Sequence, residues 1–309
     1  MRRRGGLGYA GRIAKRPGRP IVMQLGRLGV WYPMDALGGP QEVAAFAALV
    51  ERLGYGTLWY PEGPGYESLS MGGFLLGAST RLQIGSSIAS IYARDAYAAR
   101  RGMLGLNKLH GGRFVLGLGV SHRPMVEGLR GHSYAKPVPA MRAYLAGLTK
   151  GEAGTGDWPV CIAALGPLML KLAAELTRGA VTYNVTPAHT AAAAGILGRE
   201  CALVVEQKVC LETDPARARA LGRNELARYM AMENYRNAWL RMGFTESDLA
   251  GGGADRFIDA MVLWGDAAKV KAGLHAHFAA GATQVAIHPV QEAGDAAARE
   301  KVLQAMADL

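Results

Sequence analysis

The chain has 309 residues, half of them hydrophobic, 19% charged and 42 of them glycine, a balance that excludes an intrinsically disordered protein and suits a well-buried α/β core with many tight connections. Its net charge of +10 is concentrated at one end: Arg2, Arg3, Arg4, Arg12, Lys15, Arg16 and Arg19 lie in the first twenty residues, which hold no acid, so the body is close to neutral and neither a nucleic-acid nor a membrane partner is expected. Residues 1–24 read as a basic, disordered extension without the apolar stretch of a secretory signal or anchor, and the composition break points to translation starting at Met23. Cys161, Cys201 and Cys210 show neither a CxxC spacing nor an even count. A disulfide frame and a zinc site are therefore not expected, and a reducing cytoplasm fits best. No stretch approaches the roughly 18 to 20 apolar residues that cross a bilayer.

From Leu25 onward, short β-branched or aromatic runs alternate with Ala- and Leu-rich helical stretches, the pattern of a parallel sheet with crossover helices. Eight such runs follow in order: Leu25 to Tyr32, Thr57 to Tyr60, Leu82 to Ile88, Phe114 to Val120, Pro159 to Ala164, Ala180 to Val185, Leu203 to Leu211 and Gln284 to His288. Between the first two, Val43, Phe46, Leu49, Val50 and Leu53 form one helical stripe with Gly54 as its stop. AYAARRGMLGLNKL, MRAYLAGL, LMLKLAAEL and VKAGLHAHF read as further helices. One interval breaks the rhythm. Residues 212–264 are too long for a plain βα unit, and their aromatic, Met-rich helices read equally as a pocket lid or as barrel padding and subunit contact. Eight βα units predict a single (β/α)8 barrel over residues 25–309, a TIM barrel, in preference to an open doubly wound sheet, and in a closed barrel function collects where the strands end.

The residues just after each strand are therefore the informative ones. Glu62 follows the second strand in LWYPEGPGYES, placed to accept hydrogen bonds from a ligand or to cap a loop. Small residues from Gly85 to Ser90 precede Tyr92, Arg94 and Asp95; they let backbone approach a flat ring, and they also make an ordinary tight turn. Gly117 and Gly119 give a G-x-G followed by Val120, Ser121 and His122, a poor dinucleotide fingerprint but an opening onto exposed Ser and His. Gly166 and Pro167 begin a helix whose free N–H groups suit a phosphate or simply start a Pro-initiated helix. His275 and His277 point to different faces of one helix, which excludes a two-His metal site, and no metal is expected.

Taken in order, GRLGVWYP, GYGTLWYPEG, IGSSIASIYARD, GGRFVLGLGVSHRPMVEGLRGHSY, MRAYL, AALGPLMLKLAAE, TYNVTPAHT, LETDPARARAL, NYRNAWLRMGF and the late WGD resemble the luciferase-like monooxygenase superfamily, in particular its oxidoreductases dependent on deazaflavin (coenzyme F420) of mycobacterial and actinobacterial type. The resemblance runs from about Leu25 to Val290. It implies a barrel, usually dimeric, with a flavin-like ring in its mouth. A non-proline cis peptide would join Ser87 to Ile88. Ala89 and Ser90 would lie near the ring, Glu62 would bond its polar edge, Gly119, Val120 and Ser121 would line the mouth, and Gly166, Pro167 and Leu168 would hold the cofactor phosphate.

Two departures stand out. Several deazaflavin enzymes follow the acid at the second strand with His, where this chain has Gly63, and many have Glu where this chain has Val120. His122, Tyr92 or Glu62 is then expected to carry the acid/base work, unless hydride transfer by the ring needs little help. The leading expectation is hydride transfer between coenzyme F420 and a small, apolar or aromatic organic substrate. The alternatives are an FMN-dependent monooxygenase and a catalytically degenerate cofactor-binding barrel. Trp31, Tyr32, Tyr66 and Tyr92 are expected in the pocket wall.

Overall fold

The computed structural model describes residues 23–150 and 158–309. The basic segment of residues 1–22, and the question of where translation starts, lie outside the described residues.

In chain order the elements are β1 (Leu28–Trp31), α1 (Pro40–Arg52), β2 (Thr57–Tyr60), α2 (Ser68–Gly77), β3 (Gln83–Ser86), β4 (Ala89–Ser90), α3 (Ala96–Leu109), β5 (Phe114–Gly119), α4 (Pro137–Thr149), β6 (Val160–Ala163), α5 (Pro167–Leu176), β7 (Gly179–Thr182), α6 (Pro187–Leu197) and β8 (Ala202–Cys210). There follow α7 (Pro215–Met230), α8 (Glu233–Arg241), α9 (Glu246–Leu249), α10 (Asp255–Met261), β9 (Val262–Trp264), α11 (Ala267–Ala279), β10 (Gln284–Pro289) and α12 (Ala296–Met306). β1, β2, β3, β5, β6, β7, β8 and β10 pair in parallel around a ring that closes where β10 meets both β1 and β8. Each falls within, or within a residue of, one of the eight runs expected from the sequence.

Two short strands were not foreseen. The run Leu82 to Ile88 stops at Ser86, a cis peptide joins Ser87 to Ile88, and the chain re-enters the sheet as β4 against Leu118 and Gly119. Val262 to Trp264, within the 212–264 interval, forms β9 on the end of β8. Three residues are too few to show a period, so a helical neighbourhood hid them.

Alternation along the strands divides two cores. Val43, Phe46, Leu58, Ile84, Leu116, Val205 and Ile287 pack outward against the helices, α1 using the stripe expected for it and ending before Gly54 at φ +86°. Trp59, Val115, Cys161, Val181, Val204 and Ala286 fill the inside. The N-terminal end of the barrel is sealed by Gln284, which accepts from Trp59 Nε1 at 2.7 Å and donates to the Leu25 carbonyl at 2.6 Å. In barrels of this kind that end serves stability, and chemistry belongs to the other.

The 212–264 interval has a core of its own. Leu226, Trp239, Phe257, Ile258 and Met261 bury one another and meet the barrel through Cys210 and Val290, beyond the ends of β8 and β10.

Candidate active site

The C-terminal mouth starts with Glu62, two residues past β2. Its side chain, 4% exposed, accepts from the Ser90 backbone N–H at 2.7 Å and from Arg94, while its own N–H donates to the Ile88 carbonyl at 3.2 Å. Arg94 also reaches Glu67 at 2.7 Å. Glu67 in turn caps α2 by accepting from the Leu69 and Ser70 N–H groups. Burial opposes the charge on Arg94, but the two carboxylates, Glu62 first, hold its guanidinium firmly protonated. Glu62 thus ties the β4 shelf to Arg94.

The shelf is Ser87, Ile88, Ala89 and Ser90. Trp31 at the end of β1 donates its indole N–H to Ser87 Oγ at 3.1 Å, and the Ser87 N–H donates to the Tyr60 carbonyl at 2.6 Å. Glycine at 117 and 119 lets β5 lie against it. A Cβ on Gly117 would come within 2.0 Å of the Ser86 carbonyl oxygen, and one on Gly119 within 2.5 Å of Ile88 Cγ1. Both contacts are impossible without movement.

Past Gly119 come Val120 and then Ser121 at φ +56°, whose carbonyl accepts from Tyr134 Oη at 3.3 Å. His122 packs on the ring of Tyr235 with centroids 5.7 Å apart. Burial lowers its pKa below the ordinary value while a hydrogen bond with Asn234 partly offsets this, so it is neutral at pH 7. Tyr92 is half-buried and accepts from the Ala135 N–H at 3.0 Å. It borders a hollow of about 300 Å³ together with Ile91, Arg94, Asp95 and His132.

At α5, Gly166 is the N-cap and Pro167 the first helical residue, and no side chain caps the turn. Arg241, from the end of α8, brings Nη2 within 3.7 Å of the place a Gly166 Cβ would occupy. Leu168 is 66% exposed in the first turn, so these N–H groups face outward beside a cation. Free N–H groups, a dipole end and a guanidinium fit a phosphate. The shelf and glycines fit a flat ring.

The expected aromatic wall is corrected. Trp31 is buried inside the barrel, 4.6 Å from the His288 ring, and Tyr32 is buried against Phe46 of α1, the rings 4.9 Å apart, whereas Tyr66 borders a separate depression with Asp35, Pro64 and Gly65 and Tyr92 the hollow at His132. They do not form one surface.

Sequence reasoning also passed over a charged cluster in the top layer of the barrel. Lys208 and His288 stand side by side in the register of β8 and β10, with Glu206 one layer below. Glu206 Oε1 lies 2.8 Å from Lys208 Nζ and 2.7 Å from His288 Nδ1, and Lys208 donates to Asn184 Oδ1 at 2.7 Å. All four are at most 2% exposed. Burial alone would raise the Glu206 pKa, but Lys208 and His288 pull it down to about 2, so it is a carboxylate. The available signal was Glu-x-Lys inside the apolar run LVVEQKVC, two charges on one face of a strand. Next to it, Tyr183 and Tyr229 share a hydroxyl contact of 2.6 Å, and Trp239 of α8 donates to the Asn184 carbonyl at 3.1 Å. Among the described residues no group of His, Cys, Asp and Glu is arranged to hold a metal, and no helix is long and apolar enough to cross a membrane.

Comparison with known proteins places this arrangement. A Mycobacterium tuberculosis protein provisionally named a coenzyme F420-dependent oxidoreductase is 30% identical over 201 residues, 53% of this chain and 56% of that protein. The 5,10-methylenetetrahydromethanopterin reductase of Methanolobus tindarius is 26% identical over 211 residues, 58% of this chain and 64% of that one. The chain thus spans between about half and two thirds of the length of these relatives. Among solved structures, the coenzyme F420-dependent tetrahydromethanopterin reductase of Methanopyrus kandleri superposes with a TM-score of 0.67 at 17% identity, covering 91% of this chain and 97% of that one. The FMN-bound oxygenating constituent of 3,6-diketocamphane monooxygenase from Pseudomonas putida does so with 0.66 at 13%, covering 91% and 96%; both likenesses are of fold. The model for the luciferase-like monooxygenases matches residues 22–284, and with the closed barrel, the shelf after β3 and the open helix start after β6, this chain belongs to that family.

Proposed function

We propose that the chain is a coenzyme F420-dependent oxidoreductase that transfers a hydride between the deazaflavin ring and a small, uncharged organic substrate. The observation that carries the reading is the convergence of the shelf after β3, the Gly117 and Gly119 approach and the α5 start with Arg241 on one end of the barrel. The name of the Mycobacterium tuberculosis relative, which invokes F420, and that of the Methanolobus tindarius relative, a reductase, support this reading. When bound, the deazaflavin supplies a carbon centre that gives or takes a hydride.

The chain's own part is to bind and orient. Gly166 and Leu168 offer backbone N–H groups to the phosphate, Pro167 between them fixes the start of the helix, and Arg241 adds charge. Ser87, Ile88, Ala89 and Ser90 support the ring from one side, held by Glu62, and Gly119, Val120 and Ser121 border the mouth. His122, being neutral, can accept a proton there, and Tyr92 can donate one. Exposed Phe74 and Tyr97 on the neighbouring helices α2 and α3 support a homodimer.

Fluorescence titration of the purified protein with F420 and with FMN tests the reading. Micromolar or tighter F420 binding with FMN at least tenfold weaker is expected. The reverse preference would establish the FMN monooxygenase reading that the shared fold keeps open, and tight binding with no turnover of any substrate would point to a degenerate barrel.

A further inference from the structure

Charged side chains in a barrel's interior are costly unless something requires them. Glu206, Lys208 and His288 come from two adjacent strands and meet in the layer next to the mouth, where barrel enzymes place their reacting groups. The strands themselves do not need them: apolar Ala286 stands opposite Glu206, and apolar Val204 fills the inside one step further down β8.

The wiring has the form of a proton-transfer unit. The His288 Nδ1 contact with Glu206 at 2.7 Å has Nδ1–H donating to the carboxylate and leaves Nε2 as the working nitrogen. Lys208 holds Glu206 in place and is itself fixed by Asn184 and the ring of Tyr183, 4.0 Å from Nζ. His288 stacks on Trp31, the side chain that ties β1 to Ser87 of the shelf, so the imidazole is one residue removed from the ring support. Asn184 Nδ2 is buried and has no hydrogen-bond partner, a donor waiting for an acceptor. Every charge around it is already paired: Lys208 with Glu206, and Glu225, 3.9 Å from His288 Nε2, with Arg228 at 2.9 Å. Such a place rejects a second ion and accepts a neutral oxygen.

Resting on the hydride-transfer reading, we propose that His288, positioned by Glu206 and Lys208, exchanges the proton that accompanies hydride transfer with the oxygen of a neutral carbonyl substrate, to which Asn184 donates a hydrogen bond. In the reducing direction the coenzyme, when bound in its reduced form, would supply the hydride and with it the two electrons; the carbonyl carbon would take the hydride as the C=O π bond opens, and the oxygen would take the proton from protonated His288 Nε2. The product would be an alcohol, and solvent would return a proton to the imidazole. The titratable and charged groups packed around His288 are Glu206 and Lys208 on β8, Tyr183 after β7, Glu225, Arg228 and Tyr229 on α7, and Tyr32 after β1.

The test uses the intact protein loaded with reduced F420, with cyclohex-2-enone and benzaldehyde as probes. Stopped-flow absorbance follows coenzyme oxidation, and NMR of ¹⁵N-histidine-labelled protein reports the imidazole, His288 being assigned by its loss in His288→Gln. The expected results are a slowing of about 100-fold or more in His288→Gln with unchanged F420 affinity, a displaced pH profile in Glu206→Gln and Lys208→Met, and a His288 signal that moves when probe is added. Oxidation by His288→Gln at the wild-type rate and pH profile would overturn the proposal, as would a His288 signal indifferent to both probes, the mark of a purely structural role. Wild-type protein that binds F420 but is oxidised by neither probe would overturn it alone. Failure to bind F420 would remove the underlying reading and this one together.

Discussion

Removal of the Glu62 carboxylate is the sharpest test of the shelf. In Glu62→Ala the Ser90 N–H loses its 2.7 Å acceptor and Arg94 loses the better buried of its two carboxylates, keeping Glu67, whose side chain is 48% exposed. Stranding a buried charge costs about 3 to 5 kcal/mol, and leaving a buried N–H unpaired about 1 to 3. Because Glu67 stays within reach of Arg94, we expect the lower part of that range, a loss of about 3 to 4 kcal/mol. At roughly 2 to 3 °C per kcal/mol for a chain of this size, the melting temperature falls by about 6 to 12 °C. Arg94→Met alone leaves the buried Glu62 carboxylate with the Ser90 N–H and only the more distant Arg130 guanidinium, 4.0 Å away. The double variant strands neither, so it should be more stable than the sum of the two losses predicts, by about 2 kcal/mol. Equilibrium urea unfolding followed by tryptophan fluorescence measures all three. Losses that add within about 0.5 kcal/mol, or a Glu62→Ala cost below about 1 kcal/mol, would refute the view that this pair holds the β4 shelf.

Three further outcomes follow from other contacts. Gly117→Ala places a methyl group 2.0 Å from a backbone oxygen and should give insoluble or unfolded protein, whereas a soluble variant melting within 3 °C of wild type would contradict the close approach of β5 to β3. Leu168→Asp puts a carboxylate in the exposed first turn of α5 and should weaken F420 binding about tenfold or more without lowering the melting temperature; unchanged affinity would move the phosphate elsewhere. His277, buried between Gln207 and Thr190, has its pKa pulled by burial from 6.5 to about 4. The unfolded chain therefore binds a proton that the folded one refuses, and stability is lost as pH falls from about 6.5 to 4, by up to about 3 kcal/mol. His277→Gln should flatten that limb of the urea midpoint against pH, and an unaltered limb would assign it to other groups.

The barrel was legible because its signal is repetitive. Runs such as FVLGLGV and TQVAIH are apolar on both faces, and the α1 stripe from Val43 to Val50 shows its 3.6-residue period plainly. β4 and β9 were not legible, since two or three residues have no period and their strand character comes from pairing with β5 and β8. At the mouth, the non-proline cis peptide joins Ser87 to Ile88 where the family resemblance implied it. The aromatic wall failed because Tyr66 and Tyr92 sit on separate loops whose directions depend on tertiary packing. Glu206, Lys208 and His288 were missed for a different reason: their partners lie 82 residues apart in sequence for Glu206 and His288, and only closure of the ring between β8 and β10 makes them neighbours.

That closure has a consequence for how such an enzyme can change. β8 and β10 bond directly over six residue pairs, from Gln284 opposite Val204 to Pro289 opposite Val209, so the long α7-to-β9 stretch hangs outside the hoop with its own apolar packing. Mutation, lengthening or exchange of that stretch leaves the register of the ring intact. The hoop and the β4 shelf can therefore stay as they are while the surface above the mouth is retailored, and only the side chains that the stretch itself sends down, such as Arg241 and Trp239, change with it.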